Sequence, residues 1–114
     1  MKRFSEGMTG ISGAVVHNGT VHAVAFDPEC SDGIASQTAN ALRYLDELLA
    51  KTGSDRSRLI QTTIYTSDIR QKPEMDTVWR DWIGGPENWP QRACVGVDLS
   101  PGYLIEIVVL AAVA

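Results

Sequence analysis

The sequence predicts an α+β fold in which one mixed sheet carries both helices on one of its faces. Three observations lead there. Runs rich in β-branched residues bracket two amphipathic segments in the order β-β-α-β-α-β-β. Each amphipathic segment has one apolar stripe, and so one surface to bury. The final run, Leu104 to Val113, is apolar on both faces, and a chain of 114 residues with two helices can cover only one side of it. Another subunit is the expected cover for the second side.

Residues 1 to 10 show no periodicity and read as a loosely tied arm or a short edge strand. Ile11 to His17 and Thr20 to Phe26 are β-rich and meet at Asn18-Gly19, a pair suited to a type I′ hairpin turn. Asp27 to Gly33 is a loop, with Ser31 or Asp32 available to cap the helix behind it. Thr38, Ala41, Leu42, Leu45, Leu48 and Leu49 form one stripe of that helix, and Gly53 ends it. Leu59 to Thr66 alternates as a strand. Pro73 suits a first helical turn, and Met75, Val78, Trp79, Trp82 and Ile83 form a second stripe, with Asp76, Arg80 and Asp81 largely on other faces. Gly84-Gly85-Pro86 stops this helix. The segment Gln91 to Ala114 then reads as a second hairpin closed at Pro101-Gly102, which fits the central positions of a type II turn. No linker, repeat or low-complexity segment divides the chain, so we expect one domain over residues 1–114.

Composition narrows the function. Apolar residues at 44%, charged residues at 21% and a formal net charge of -4 describe an ordinary globular chain without the basic footprint of a nucleic-acid or anionic-membrane binder. The N-terminus has no apolar stretch behind Lys2 and Arg3, and no run approaches the roughly 20 residues of a membrane span. A cytoplasmic protein is expected, with Cys30 and Cys94 as free thiols that pack as small hydrophobes. His17, His22 and the cysteines lack metal-ligand spacing, and Gly84-Gly85 and Gly102 do not open a helix after a strand. Neither a metal nor a phosphate cradle is expected. Trp79, Trp82 and Trp89 could line a ligand pocket, and helical spacing favours core packing for the first two.

Two charges stand out in the C-terminal segment. A period of two groups Arg92, Cys94, Gly96 and Asp98 on one face and the greasier Ala93, Val95, Val97 and Leu99 on the other. Glu106 stands alone among Leu104, Ile105, Ile107, Val108, Val109 and Leu110, where its carboxylate needs compensation for lost water. Each has a structural reading, Arg92 snorkelling at a sheet edge and Glu106 as one half of an ion pair. In a hairpin centred on Pro101-Gly102, Glu106 would face Val97, about 16 Å along the strand from Arg92. They would not meet in one subunit. Between subunits, they would line one cleft, a guanidinium fork for a substrate carboxylate facing a base that orients water.

The pieces VVHNGTVHAVAF, SQTANAL, AKTGSDRSRLIQTTIYTSDI, MDTVWRDWI and above all PQRACVGVDL followed by YLIEIVVLAA resemble the Rid family, also called YjgF-like, over nearly the whole chain. The resemblance implies a chorismate-mutase-like fold and a homotrimer with ligand clefts between subunits. It also implies an imine deaminase that needs no cofactor and turns small 2-imino acids into 2-keto acids and ammonia. On this resemblance Arg92 binds the substrate carboxylate, Cys94 lies beside it, and Glu106 positions the attacking water. The sequence is most similar to a divergent YoaB-like branch. Deaminases of the family carry a Tyr in the first strand and Ser-Gly-Gln at the end of the second; these places hold Ile11 and Val24-Ala25-Phe26, and Asp76 stands where Asn is frequent. Those departures keep open a non-catalytic, small-carboxylate-binding trimer, or a hydrolase of a related amide or enamine.

Overall fold

The computed structural model describes residues 1–114. Its strands are β1 (Lys2–Phe4), β2 (Ala14–His17), β3 (Thr20–Ala25), β4 (Leu59–Thr66), β5 (Gln91–Gly96) and β6 (Ile105–Ala112). Helix α1 (Ile34–Lys51) lies between β3 and β4, and α2 (Lys72–Ile83) between β4 and β5. One sheet contains all six strands in the order β1-β2-β3-β6-β4-β5. Only the β4/β5 pair is parallel, which makes the sheet mixed as expected. The N-terminal arm is the edge strand β1.

Local chemistry places most elements where the sequence puts them. Asn18 and Gly19 both take positive φ, 50° and 75°, as a type I′ turn requires. The hairpin they close starts at Ala14; Ile11 lies before it in a bend and is 61% exposed. Every apolar or small residue of the expected α1 stripe is buried, and Gly53 follows the helix at φ 83°. The start of α1 differs from expectation. Gly33 occupies the cap position, and no side chain caps there. Asp27 organises the preceding loop instead, its carboxylate accepting from the backbone N–H groups of Glu29 and Ser31, each at 2.8 Å.

The C-terminal segment is not a hairpin. Its turn exists: the Tyr103 N–H donates to the Ser100 carbonyl at 3.0 Å, with Gly102 at φ 87°. The strands on either side of it, however, never pair. β4 lies between them, parallel to β5 with Arg92 opposite Thr62 and Cys94 opposite Ile64, and antiparallel to β6 with Glu106 opposite Tyr65. β6 pairs with β3 along its other edge. A strand apolar on both faces thus fills a central place where both backbone edges are hydrogen-bonded, while shorter, more polar β5 takes the edge.

Both helices cover one face, as expected. Leu42, Leu45 and Leu49 of α1 and Met75, Trp79 and Ile83 of α2 share one core with Val21, Ala23, Ala25, Ile64, Ile105, Ile107, Val109 and Ala111 of the sheet. Alanines under the helices keep the layers close. The opposite face has no cover within the chain, and Val95 and Val108 on it are 41% and 38% exposed. A bulge between Leu59 and Gln61 leaves Ile60 51% exposed near one end of β4.

Candidate functional site

Arg92 stands on the edge strand β5, on the face that the helices cover. The greasier residues Ala93 and Val95 face out, while Arg92 and Cys94 turn toward α2. Asp76 of α2 meets the guanidinium, accepting from Arg92 Nη2 at 2.7 Å on Oδ1 and from Lys72 Nζ at 2.8 Å on Oδ2. Arg80 Nη2 lies 3.9 Å from the same Oδ2. Asp76 is therefore not on an outward face of its helix; it is 4% exposed. Burial raises its pKa, but the hydrogen bonds and charges of Lys72 and Arg92 outweigh this and hold it below the ordinary carboxylate value.

The Arg92 guanidinium also lies over the Trp79 ring, 5.3 Å from its centroid. One of its five N–H groups is committed to Asp76, so the rest of the fork is available to an acceptor. Cys94 lies two residues on along the same face, and burial pushes its thiol up, partly offset by the charges of Arg92 and Lys72. Both cysteines are unpaired and half-buried rather than fully packed away.

Glu106 stands on the other face of the sheet. Its neighbours Ile105 and Ile107 point into the core, so alternation turns its carboxylate outward, where no cation or hydrogen-bond donor of the chain meets it. It lines a cavity of about 220 Å³ with Phe26, Leu99, Ser100, Tyr103 and Ile105. The Phe26 ring meets Tyr103 and Tyr44 edge-on, at 6.0 and 5.5 Å. Tyr44 lies beside Glu6, and burial together with that carboxylate pushes its phenol up to about 12.

The loop carrying Leu99, Ser100 and Tyr103 is held by a single buried side chain. Gln37 of α1 donates to the carbonyls of Ser31 and Gly102, both at 2.8 Å, and accepts from the Leu104 N–H at 2.8 Å. At 1% exposure its amide has both donors and its acceptor satisfied. Gln37 thus fixes the turn that precedes Glu106. Sequence reading singled out neither Gln37 nor Tyr103, because a polar residue on a helix stripe shows its partner only when a distant loop packs on it.

Arg92 and Glu106 do not meet in one chain. Glu106 shares a cross-strand row with Tyr65 and Val95, three residues and two strand spacings from Arg92. That is roughly 14 Å between Cα atoms, with the side chains on opposite faces. The two stay apart as expected, but not in the expected register: β4 intervenes and puts Glu106 in the row of Val95 and not opposite Val97. Trp82 packs against the edge of the core but is only partly buried: its Nε1 donates to Asp46 at 3.0 Å, and Arg56 stacks 4.7 Å from its ring. No three His, Cys, Asp or Glu side chains converge as a metal site would require, and no helix is long and apolar enough to cross a membrane.

Comparison with known proteins agrees with this architecture. Residues 1–113 match the family described as Endoribonuclease L-PSP. A RutC family protein of Haemophilus ducreyi is 32% identical over 113 residues, covering 97% of this chain and 90% of its relative. The RutC family protein YoaB of Escherichia coli is 32% identical over 103 residues, 90% of each chain. A 2-iminobutanoate/2-iminopropanoate deaminase of Rattus norvegicus is 29% identical over 108 residues, covering 88% of this chain and 77% of that one. Among solved structures, NMB1025 of Neisseria meningitidis, a member of the YjgF protein family, superposes with a TM-score of 0.92 at 32% identity, over 99% of this chain and 94% of the other. The chain with its six-stranded mixed sheet, two helices on one face and Arg-x-Cys edge strand therefore belongs to the Endoribonuclease L-PSP family, also known as YjgF/Rid.

Proposed function

We propose that the protein hydrolyses small reactive 2-imino acids to 2-keto acids and ammonia in clefts between subunits of a homotrimer. The observation that carries this reading is the Glu106 carboxylate, which faces a cavity and has no cationic or hydrogen-bonding partner in its own chain. A structural ion pair would have used it. Placement on opposite sheet faces means that a cleft using both charged residues takes Arg92 from one copy and Glu106 from another. The uncovered face with Val95 and Val108 is the surface on which copies would pack. The deaminase name of the rat relative supports the chemistry at the level of the family.

In this reading Arg92 grips the substrate carboxylate through its free N–H groups, held in place by Asp76, with Cys94 beside it. Glu106 accepts a proton from a water as its oxygen adds to the imine carbon. Glu106 returns that proton to the carbinolamine nitrogen and takes the hydroxyl proton as the carbonyl forms, so the C–N bond breaks and ammonia leaves with a 2-keto acid behind it. Water is the only co-reactant. The test generates 2-iminopropanoate and 2-iminobutanoate enzymatically and follows their decay with and without the protein. Acceleration that disappears with Arg92→Ala is the expected result. Binding of 2-keto acids without faster decay would overturn the catalytic reading in favour of a small-carboxylate-binding protein.

A further inference from the structure

Arg92 and Asp76 open onto a groove of about 380 Å³, bounded further by Trp79, Arg80, Ile83 and Trp89, whose far end the hydrolytic reading does not use. Its two ends differ in character. At one end Arg92, Lys72 and Arg80 surround the single Asp76 carboxylate, a local surplus of two positive charges on a chain of net charge -4. At the other end is the C-terminus of α2, whose carbonyls would ordinarily repel an anion. Here they are covered: Asn88 Nδ2 donates to the Ile83 carbonyl at 3.0 Å, and Trp89 Nε1 donates to the Gly84 carbonyl at 2.9 Å. That second bond pins an indole that is 63% exposed, so Trp89 presents an apolar plate of fixed orientation. Arg92 already lies over Trp79, which leaves Trp89 as the open aromatic surface.

From this polarity we infer that the ligand has a bulky apolar or aromatic side chain: its carboxylate sits on Arg92 and its side chain lies along the groove against Trp89. A substrate with only a methyl or ethyl group would leave the plate wet. The inference rests on the proposed role of Arg92 as carboxylate clamp, and it specifies the substrate class as 2-imino acids derived from large apolar amino acids. Charge complementarity selects the anionic head, and the capped helix end accepts the uncharged tail.

The experiment titrates the intact protein calorimetrically with pyruvate and with phenylpyruvate, stable keto analogues of a small and a large imine. Phenylpyruvate should bind about tenfold more tightly or better, the gain expected from partly burying one ring. Trp89→Ala should bring the two affinities within about threefold of each other, the loss falling on phenylpyruvate, whereas Trp89→Phe should keep the preference. Equal affinities in the unaltered protein, or a preference untouched by Trp89→Ala, would overturn the inference and leave the Arg92 clamp standing. A protein that binds neither acid would remove the clamp itself. If Trp89→Ala lowers the assembly's mass in light scattering and weakens both acids alike, Trp89 belongs to a contact between copies and the inference also fails.

Discussion

Replacing Asp76 tests how the candidate site is held together. Asp76→Asn keeps an oxygen for Arg92 Nη2 and removes the charge that Arg92 and Lys72 share at 2.7 and 2.8 Å. A hydrogen bond to a charged partner is worth about 1.5–3 kcal/mol net. The Lys72 side chain is 42% exposed, so its ion pair adds at most about 1 kcal/mol. Arg92, at 19%, is the better shielded partner, but it opens onto the groove and water can replace part of what it loses. We therefore expect Asp76→Asn to destabilise by about 1.5–2.5 kcal/mol at pH 7, and Asp76→Ala by about 3 kcal/mol, since it also removes the acceptor. The sign with pH follows from the lowered folded-state pKa of Asp76. Its contribution is complete above the unfolded-state value near 4 and is lost as pH falls through the lower folded-state value. Urea unfolding at one fixed protein concentration, at pH 7 and in steps below pH 4, measures this. The gap between the native protein and Asp76→Asn should narrow at the acid end. A gap of equal size throughout, or none at pH 7, would show that the Asp76 charge does not hold Arg92. The same variant should bind 2-keto acids more tightly, because an anion then faces three cations without a competing carboxylate.

Other perturbations separate binding from chemistry and from assembly. Arg92→Lys keeps the charge and loses the fork, so calorimetry should show 2-keto-acid affinity lower by about 1.5–3 kcal/mol. Glu106→Gln should leave that affinity intact or slightly improved while imine hydrolysis, followed by imine decay, falls roughly a hundredfold; equal loss of binding in both variants would make Glu106 a structural residue. Val108→Asp puts a charge at the centre of the uncovered sheet face, and light scattering should then report a monomer, against the trimeric mass expected of the unaltered protein. Two thiols should titrate after denaturation without reductant, and Cys94, whose pKa is raised by burial, should alkylate more slowly at pH 8 in the native protein than in the denatured one.

The sequence by itself determined most of what depends on near neighbours along the chain, the cap of α1 at Gly33 excepted. The α1 stripe from Thr38 to Leu49, the Asn18-Gly19 and Pro101-Gly102 turns, and the glycines that end both helices follow from a period of 3.6 or from the φ a turn demands. Arg92 and Glu106 were legible for a similar reason: each charge interrupts an apolar or β-branched strand, and alternation assigns its face relative to its own neighbours. Tertiary structure alone decided which strand lies beside which. A turn at Ser100–Tyr103 looks the same whether its flanking strands pair with each other or with β4, because pairing is settled by distant backbone edges and by which face the helices cover. Alternation likewise separates Arg92 and Cys94 from Ala93 and Val95 without saying which pair meets a helix. The burial of Asp76 against Arg92, and of Gln37 against the Gly102 and Leu104 backbone, links residues 16 and more than 60 positions apart. Such contacts have no local period, so a polar residue on a helix becomes a clamp only when the fold brings its partner to it.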